Sequence, residues 1–323
     1  MRSFFVRQTL DCYPYSHYDE CMNQTIGFIG LGHMGKNMVL RLVEGGIDVI
    51  AYNRTKEKTD ELLKEQPKVK PAYTVRDLIQ QLPIPRVIWL MIPNGKPVDE
   101  ILQQLMSFGI QKGDIIIDGG NTYYKDTVRR SSEFAKQGIT LVDCGVSGGL
   151  TGARNGASLM LGGDEQVIKQ LDWLWKSLAV SDGYKYFGPS GAGHFVKMVH
   201  NGVEYGIDEA LGEGFEILAS GPYKLDLGGV AKVWAHGSVV RGWLVELLAK
   251  ALEGDPMLDR LAGRVGGGET GKWALESAKE HNVAAPIIEL SLATRKKSLT
   301  NPTFTGKVIS ALRAGYGGHE EPK

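Results

Sequence analysis

The stretch TIGFIGLGHMGKNMVLRLVEGGIDVIAY, residues 25–52, decides the fold of this chain. It holds two short apolar runs with the pattern Gly-x-Gly-x-x-Gly and an apolar helical periodicity between them. Glycines so placed allow a tight turn and let the backbone approach a pyrophosphate, which binds at the helix N-terminus. This strand–turn–helix–strand setting favours a dinucleotide site over a glycine-rich turn in another α/β protein. The predicted cofactor contacts here are Gly30, Leu31, Gly32, His33, Met34 and Gly35.

Alternating strand and helix patterns continue beyond this unit. Further strands are predicted at 86–92, 114–118 and 139–143. From about residue 189 the strand patterns stop, and candidate helices cover 193–220, 238–252, 270–280 and 286–299. We therefore predict an α/β Rossmann-type doubly wound sheet domain followed by an all-α helical domain. The expected limits are an extension at 1–21, the sheet domain at 22–188, the helical domain at 189–300 and a C-terminal tail at 301–323.

The end of the second strand bears on which dinucleotide binds. An NAD site usually has Asp or Glu here, which accepts hydrogen bonds from the ribose 2′-hydroxyl. This chain has Asn53, Arg54 and Thr55 instead. A guanidinium can bind a 2′-phosphate, so the sequence favours NADP over NAD. NAD remains open, because Arg54 could stack on the adenine instead.

A second informative stretch is GHFVKMVHNGVEY at residues 193–205. On a helix, Lys197, His200, Asn201 and Glu204 fall on about one third of the circumference, and apolar residues cover the rest. An amphipathic surface helix would have such a polar stripe too, but it would normally repeat Lys and Glu. Four different polar groups, each used once, indicate instead a base and an acid that act on one small substrate.

The position of Lys197 near the start of this helix bears on its proton affinity. The helix dipole disfavours a cation there, so we expect the lysine to lose its proton more easily than a free one. Such a shift suits a base that works near neutral pH.

Polar and glycine residues follow several of the predicted strands. Ligands of a doubly wound sheet bind beyond the carboxyl ends of its strands, where Asn121 and the segment Ser147, Gly148, Gly149 are expected. Each is equally compatible with a simple tight turn. The tail after Pro302 is polar and glycine-rich, which is typical of a frayed terminus, although its Arg and His could also close over an anionic ligand.

Composition limits the remaining classes of function. The 37 basic residues balance the 37 acidic ones, which argues against nucleic acid or an acidic membrane surface as a partner. No apolar run is long enough to cross a bilayer, and residues 1–21 lack the apolar core of a secretory signal. We interpret residues 1–21 as an upstream start or a disordered arm. Three cysteines without metal-ligand spacing predict a reducing, cytoplasmic location and no metal.

On these motifs, the chain resembles the short form of the 6-phosphogluconate dehydrogenase family from Thr25 to about Leu299. The resemblance implies that Lys197 is the base and Glu204 the acid in an oxidative decarboxylation with transfer of a hydride to NADP. It implies substrate contacts from Asn121, Ser147, Gly148, Gly149, His200, Asn201, Tyr205 and Arg295, and cofactor contacts from Ile92, Pro93, Asn94 and Asn121.

The sequence departs from the family pattern at several points. The second helical repeat of long members is missing, and Gly268 stands where those members have a phosphate-binding lysine. Arg313 and His319 keep the spacing of the pair that, in relatives, reaches the phosphate pocket of a neighbouring subunit. The resemblance thus implies a homo-oligomer, a dimer or tetramer, whose tail completes the neighbour's site.

Two other functions remain open at this point. A 3-hydroxyisobutyrate-type β-hydroxyacid dehydrogenase shares the lysine, and it would not need Glu204, Tyr205 or a phosphate clamp. A non-catalytic NADP-binding regulatory protein would not need a matched acid and base.

Overall fold

The computed structural model describes residues 24–322, so the extension expected at 1–21 lies outside the described residues. Within them, eight strands form one sheet in the order β3-β2-β1-β4-β5-β6-β7-β8. The strands are β1 (Thr25–Ile29), β2 (Asp48–Tyr52), β3 (Lys70–Ala72), β4 (Val87–Leu90), β5 (Ile115–Asp118), β6 (Thr140–Ser147), β7 (Ala157–Gly162) and β8 (Ala179–Gly188).

The strand order places a topological switch point beside β1. This strand pairs in parallel with both β2 and β4, so the chain leaves it in opposite directions on its two sides. The neighbouring pairs β2–β3, β4–β5 and β5–β6 are also parallel, whereas β6 and β7 are antiparallel. A crevice for a ligand opens at such a point, beyond the carboxyl end of the strands.

Helices cover both faces of this sheet. They are α1 (His33–Glu44), α2 (Lys56–Glu65), α3 (Val75–Gln81), α4 (Lys96–Ser107), α5 (Tyr124–Ala135), α6 (Gly149–Asn155), α7 (Glu165–Gln170) and α8 (Asp172–Leu178). Alternate residues of β4 enter different cores: Trp89 packs in the cluster of Phe28 and Trp175, and Ile88 packs in the cluster of Leu105. A strand buried on both sides confirms the predicted doubly wound domain.

The rest of the chain is helical, as predicted. It contains α9 (Ala192–Ser220), α10 (Leu227–Ala235), α11 (Trp243–Gly254), α12 (Glu269–Glu280), α13 (Pro286–Ser298) and α14 (Phe304–Gly317). None of the helices within residues 24–322 is long and apolar enough to cross a membrane.

Three local expectations were wrong. The helix expected at 238–252 begins only at Trp243, and α10 before it was not predicted. The strand expected at 139–143 is longer than predicted, since β6 runs on to Ser147 and pairs with β7.

The third correction concerns the tail. Its segment 304–317, which its composition made typical of a frayed terminus, is the regular helix α14, with Val308, Ile309 and Leu312 almost fully buried. The apolar residues recur at helical spacing, and the average composition of the segment conceals that spacing.

Candidate active site

The N-terminal end of α9 is held directly against the sheet. The buried carboxylate of Asp143 in β6 accepts hydrogen bonds from the backbone N–H of Gly191 at 2.7 Å and of His194 at 2.9 Å. A Cβ on Gly193 would lie only 2.2 Å from the carbonyl oxygen of Met160. Glycine at this position therefore lets the helix backbone touch the sheet, and that contact sets where the following turns of α9 lie.

The next turn of α9 places Lys197 over the end of β6. Its Nζ lies 3.3 Å from Nδ1 of His200, and Nε2 of the same imidazole lies 3.1 Å from Oγ of Ser147. A Cβ on Gly145 would meet the Cβ of Lys197 at 2.4 Å, so the lysine stem packs on bare strand backbone. The amine, the imidazole and the hydroxyl predicted from sequence are thus brought together.

The environment of Lys197 favours its neutral form. Burial lowers the pKa of the amine from 10.5 to about 8, and the Glu204 carboxylate opposes this fall. The direction agrees with the expectation from sequence, but the main cause is desolvation and not the helix dipole. Burial and Lys197 also lower the pKa of His200, so the two groups do not compete as cations near neutral pH.

Amide groups continue the polar face toward the sheet. Asn201 Nδ2 donates to Oδ1 of Asn121 at 3.3 Å, and Asn121 Nδ2 donates to Oγ1 of Thr270 at the start of α12 at 2.8 Å. The backbone carbonyl of Asn121 accepts from Asn94 Nδ2 at 3.1 Å. This chain of bonds links the predicted cofactor turn, a predicted substrate residue and the helical domain.

Tyr205 and Arg295, the two predicted phosphate contacts, lie together. The guanidinium of Arg295 stands over the ring of Tyr205, 3.9 Å from its centroid. Both side chains are buried, and a Cβ on Gly271 would lie 2.6 Å from the tyrosine ring. Stacking of this kind orients the planar guanidinium while its N–H groups stay available to an anion.

Helix α14 brings Arg313 and His319 to the same region of their own chain. Burial raises the pKa of the Asp208 carboxyl, and the charge of Arg313 is one of the groups that oppose this rise. The ring of His319 packs edge-on against Tyr316 with centroids 6.4 Å apart. Helix α14 packs on α9 within the same chain. The expectation that the tail completes a neighbouring subunit's site stays a prediction. The carbonyl of α14 at Tyr316 also fits against Gly149, where a Cβ would lie 1.8 Å away.

The chain end beyond α14 is anchored as well. The carboxylate of Glu321 accepts hydrogen bonds from the backbone N–H of Ala262 at 2.7 Å, of Gly263 at 2.8 Å and of Arg264 at 3.1 Å. These bonds lie two residues after His319 and restrict where that imidazole stands.

The glycine-rich turn after β1 has the conformation that a dinucleotide site requires. Gly30 has φ +105°, and a Cβ there would lie 2.3 Å from the carbonyl oxygen of Met91. The turn is tied to β2, since the N–H of Leu31 donates to Oδ1 of Asn53 at 2.9 Å. Residues Gly32, His33, Met34 and Gly35 then begin α1, whose first N–H groups face the crevice end of the sheet.

The residues that bear on the choice of nucleotide lie at the end of β2. Asn53 holds the turn through the bond to Leu31 and another to the carbonyl of Thr55 at 3.0 Å, so it supports the site indirectly. Arg54 is exposed at the start of α2, and its side chain is free to meet a phosphate. Ile92 is half-buried and Pro93 exposed in the turn after β4, on the other side of β1.

Three residues of this site were not identified from sequence: Thr270, Asp208 and Tyr316. Asp208 follows Glu204 by one helical turn, so the spacing that singled out the first carboxylate could also have indicated the second. Tyr316 belongs to the segment expected to be a frayed terminus. Within residues 24–322, no cluster of three His, Cys, Asp or Glu side chains could hold a metal ion.

Two family models match the chain over most of its length. Residues 25–186 match the NAD-binding domain of 6-phosphogluconate dehydrogenase, and residues 193–303 match the C-terminal domain of the same family.

Individual relatives give the same result. A Haloferax volcanii protein named as an NAD-dependent, decarboxylating 6-phosphogluconate dehydrogenase is 41% identical over 91% of this chain and 97% of its own length. The solved 6-phosphogluconate dehydrogenase of Plasmodium falciparum, described in apo form and with NADP+ or 6-phosphogluconate, superposes with TM-score 0.78 at 32% identity. The match covers 86% of this chain but 62% of the Plasmodium chain.

A more distant likeness shows only the fold. The 3-hydroxyisobutyrate dehydrogenase of Mycobacterium tuberculosis superposes with TM-score 0.70 over 91% of this chain, at 20% identity.

Proposed function

This chain belongs to the 6-phosphogluconate dehydrogenase family, and from that membership we propose that it converts 6-phospho-D-gluconate to D-ribulose 5-phosphate and CO2 with reduction of NADP. The observation that carries the proposal is the desolvated Lys197 amine on the same face of α9 as the Glu204 carboxyl. Burial brings the pKa of the amine to about 8, so a useful fraction is neutral at physiological pH. Binding alone would need neither group.

Lys197 has two successive roles in this proposal. Its neutral amine takes the proton of the substrate's 3-hydroxyl as C3 gives up a hydride, which a nicotinamide held by the Gly30–Gly35 turn would accept. The resulting ammonium then polarises the new C3 carbonyl and gives its proton to the C3 oxygen as the C1–C2 bond breaks and CO2 is lost, which leaves an enediol and a neutral Lys197. His200, whose own pKa is lowered, holds the amine without adding a second charge.

Glu204 completes the reaction from the opposite end of the polar face. After CO2 has left, its protonated carboxyl donates a proton to the carbon that carried the CO2, and the neutral Lys197 takes the proton of the enediol hydroxyl. A proton then returns from the ammonium to the Glu204 carboxylate through solvent before the next turnover. Ribulose 5-phosphate results. Two turns of helix separate the two groups, about 10 Å along the axis, which leaves room for a sugar acid lying across them.

The remaining substrate contacts follow from the same geometry. We assign the hydroxyl and carboxylate groups of the sugar acid to Asn121, Ser147, Gly148, Gly149, His200 and Asn201, which the bonds described above bring to one cleft. We assign the phosphate to Tyr205, Arg295, Arg313 and His319. Arg295 in this second group supports a phosphorylated substrate, because a buried cation needs an anionic partner.

The preference for NADP over NAD rests on Arg54. An exposed guanidinium at the end of β2 can pair with a 2′-phosphate, and the side chains next to it, Asn53 and Thr55, carry no charge to repel one. The Haloferax relative is named as NAD-dependent, so the family includes both specificities.

The alternative substrate, a phosphate-free β-hydroxyacid, is less well supported. The solved 3-hydroxyisobutyrate dehydrogenase that superposes on this chain is 20% identical to it, so the likeness concerns the fold alone. A site for such a substrate would not require the stacked pair of Tyr205 and Arg295 or the nearby Arg313.

We further propose that the protein is a homo-oligomer in a cytoplasmic compartment. Val203 and Ile207 of α9 are 53% and 46% exposed, and Ile287 of α13 is 64% exposed beside them. An apolar surface of this kind supports an interface with a second copy. Light scattering at several concentrations would test it, and a monomer throughout would contradict it.

The decisive experiment is an assay of the full chain with 6-phosphogluconate and each nucleotide in turn, following reduced nucleotide and released CO2 together. We expect one CO2 for each NADPH, a higher kcat/KM with NADP than with NAD, and much lower activity with 3-hydroxyisobutyrate. Reduction without CO2 release, or a preference for the phosphate-free acid, would overturn the proposal.

A further inference from the structure

Asp208 is a buried carboxyl that the proposed mechanism does not use. It lies on α9 one turn beyond Glu204 and is 0% exposed. Its Oδ2 accepts a hydrogen bond from the hydroxyl of Tyr316 at 3.3 Å, while its Oδ1 has no hydrogen-bond partner within the described residues. A buried carboxyl with so little compensation costs the fold stability, and each such group calls for a functional explanation.

Arg295 is the cation that faces it. The guanidinium is 3% exposed, and its Nη2 lies 4.0 Å from Oδ2 of Asp208. A well-formed ion pair has a separation of about 2.7–2.9 Å, so this pair is loose. The Nε and Nη1 atoms of Arg295 also have no hydrogen-bond partner among residues 24–322. The guanidinium therefore keeps free donors for a better anion.

The charged groups around Asp208 come from three helices. Glu204 of α9 repels its negative charge, while Arg295 of α13 and Arg313 and Tyr316 of α14 favour it. Burial, with Glu204 second, raises the pKa of Asp208 from 3.8 to about 7. Both protonation states are thus accessible near neutral pH.

We propose that Asp208 is the counter-ion of Arg295 in the empty site, and that it takes up one proton from solvent when the substrate's phosphate binds that guanidinium. This inference rests on the proposed function. A phosphate dianion beside an ionised, buried Asp208 would be repelled by it, and formation of one O–H bond on the carboxyl removes that repulsion. The protonated carboxyl keeps an oxygen that accepts the Tyr316 hydrogen bond.

Two consequences follow for binding. Above neutral pH, each molecule of 6-phosphogluconate that binds must bring a proton onto Asp208, so its affinity falls by up to about tenfold per pH unit. A ligand without the phosphate does not displace the carboxylate from Arg295 and shows no such dependence. Asp208 is in this sense a residue that sets specificity and does not contact the reacting atoms.

The test is calorimetric titration of 6-phosphogluconate into the full-length protein near pH 8, in buffers with different ionisation enthalpies. At that pH the phosphate is already a dianion, since its second pKa is about 6, so it releases few protons itself. The slope of heat against buffer enthalpy gives the number of protons taken up. Asp208→Asn keeps the acceptor for Tyr316, and Glu213→Gln removes an exposed carboxyl of the same helix as the control.

We expect the wild type and Glu213→Gln to take up about one proton more than Asp208→Asn on binding 6-phosphogluconate. Asp208→Asn should also bind 6-phosphogluconate roughly tenfold more tightly than the wild type at pH 8. Should Asp208→Asn not fold, Asp208→Ser takes its place in the same titration. Equal proton uptake in the wild type and the Asp208 variant would overturn the inference. If the wild type neither binds nor turns over 6-phosphogluconate, the proposed function itself fails.

Discussion

The pH dependence of hydride transfer should report the burial of Lys197. The pKa of about 8 leaves roughly one amine in ten neutral at pH 7, against about one in 3,000 at the ordinary value of 10.5. Desolvation thus supplies about 300-fold more base at neutral pH. Because the base must be neutral to accept a proton, the rate of hydride transfer at saturating 6-phosphogluconate should rise with pH, reach half its maximum near pH 8 and then level off. Saturation keeps the proton uptake proposed for Asp208 on binding out of this measurement.

Glu204→Gln should shift the rising limb of this pH profile, and the size of the shift can be calculated. Two helical turns place the carboxylate about 10 Å from the amine along the axis. At an effective dielectric constant of about 20, unit charges at this distance interact by about 1.7 kcal/mol, or slightly more than one pKa unit. Since the carboxylate raises the pKa of Lys197, its neutralisation should move the rising limb about one unit toward lower pH.

The assay is stopped-flow absorbance of NADPH at saturating substrate concentration, which follows oxidation even where later protonation is slow. Glu213→Gln, an exposed change on the same helix, should leave the limb near pH 8. A wild-type limb near pH 10.5 would refute the burial reasoning. An unmoved limb in Glu204→Gln would show that the carboxyl does not act on the amine.

Four further substitutions test other parts of the site. Lys197→Ala should lower kcat by about 10²–10⁴-fold while NADP still binds, as measured by steady-state kinetics and fluorescence titration; near-normal turnover would reject the base. Arg54→Asp should lower kcat/KM for NADP relative to NAD by about 10- to 100-fold, because a charge-assisted hydrogen bond to the 2′-phosphate is lost. An unchanged ratio of the two kcat/KM values would remove Arg54 from the 2′-phosphate site. Gly145→Ala puts a methyl group 2.4 Å from the Lys197 Cβ, so it should lower kcat. It should also lower the free energy of unfolding by about 1–3 kcal/mol in denaturant titrations, and unaltered values of both would contradict the packing. Glu321→Ala releases the chain end beside His319 and should raise KM for 6-phosphogluconate several-fold with little change for NADP, whereas equal effects on both would count against the anchor.

Local spacing was sufficient for several features of this protein. The glycine pattern at 30–35 and the apolar runs around it predict the first strands and α1, because turn geometry and strand burial depend on neighbouring residues. The shared face of Lys197, His200 and Asn201 follows in the same way from the pitch of one helix, and the structure joins their side chains by hydrogen bonds.

Other features depend on contacts between residues far apart in the chain. Tyr316 and Asp208 are 108 positions apart, and no local period indicates that α14 will fold back on α9. The composition of 301–323 pointed to a frayed end, whereas packing of Val308 and Leu312 against Phe215 makes it part of the core.

The sequence by itself determined the sheet domain and the helical domain, and it predicted Lys197 and Glu204 as base and acid, since each of these features depends on residue spacing. Only the tertiary structure decided how those groups behave. The helix dipole suggested the direction of the Lys197 shift, but its main cause is removal of water by the elements packed around it. The proton affinity of Asp208 is likewise a property of three helices together, because desolvation and charge interactions depend on distance in space and not on separation along the chain.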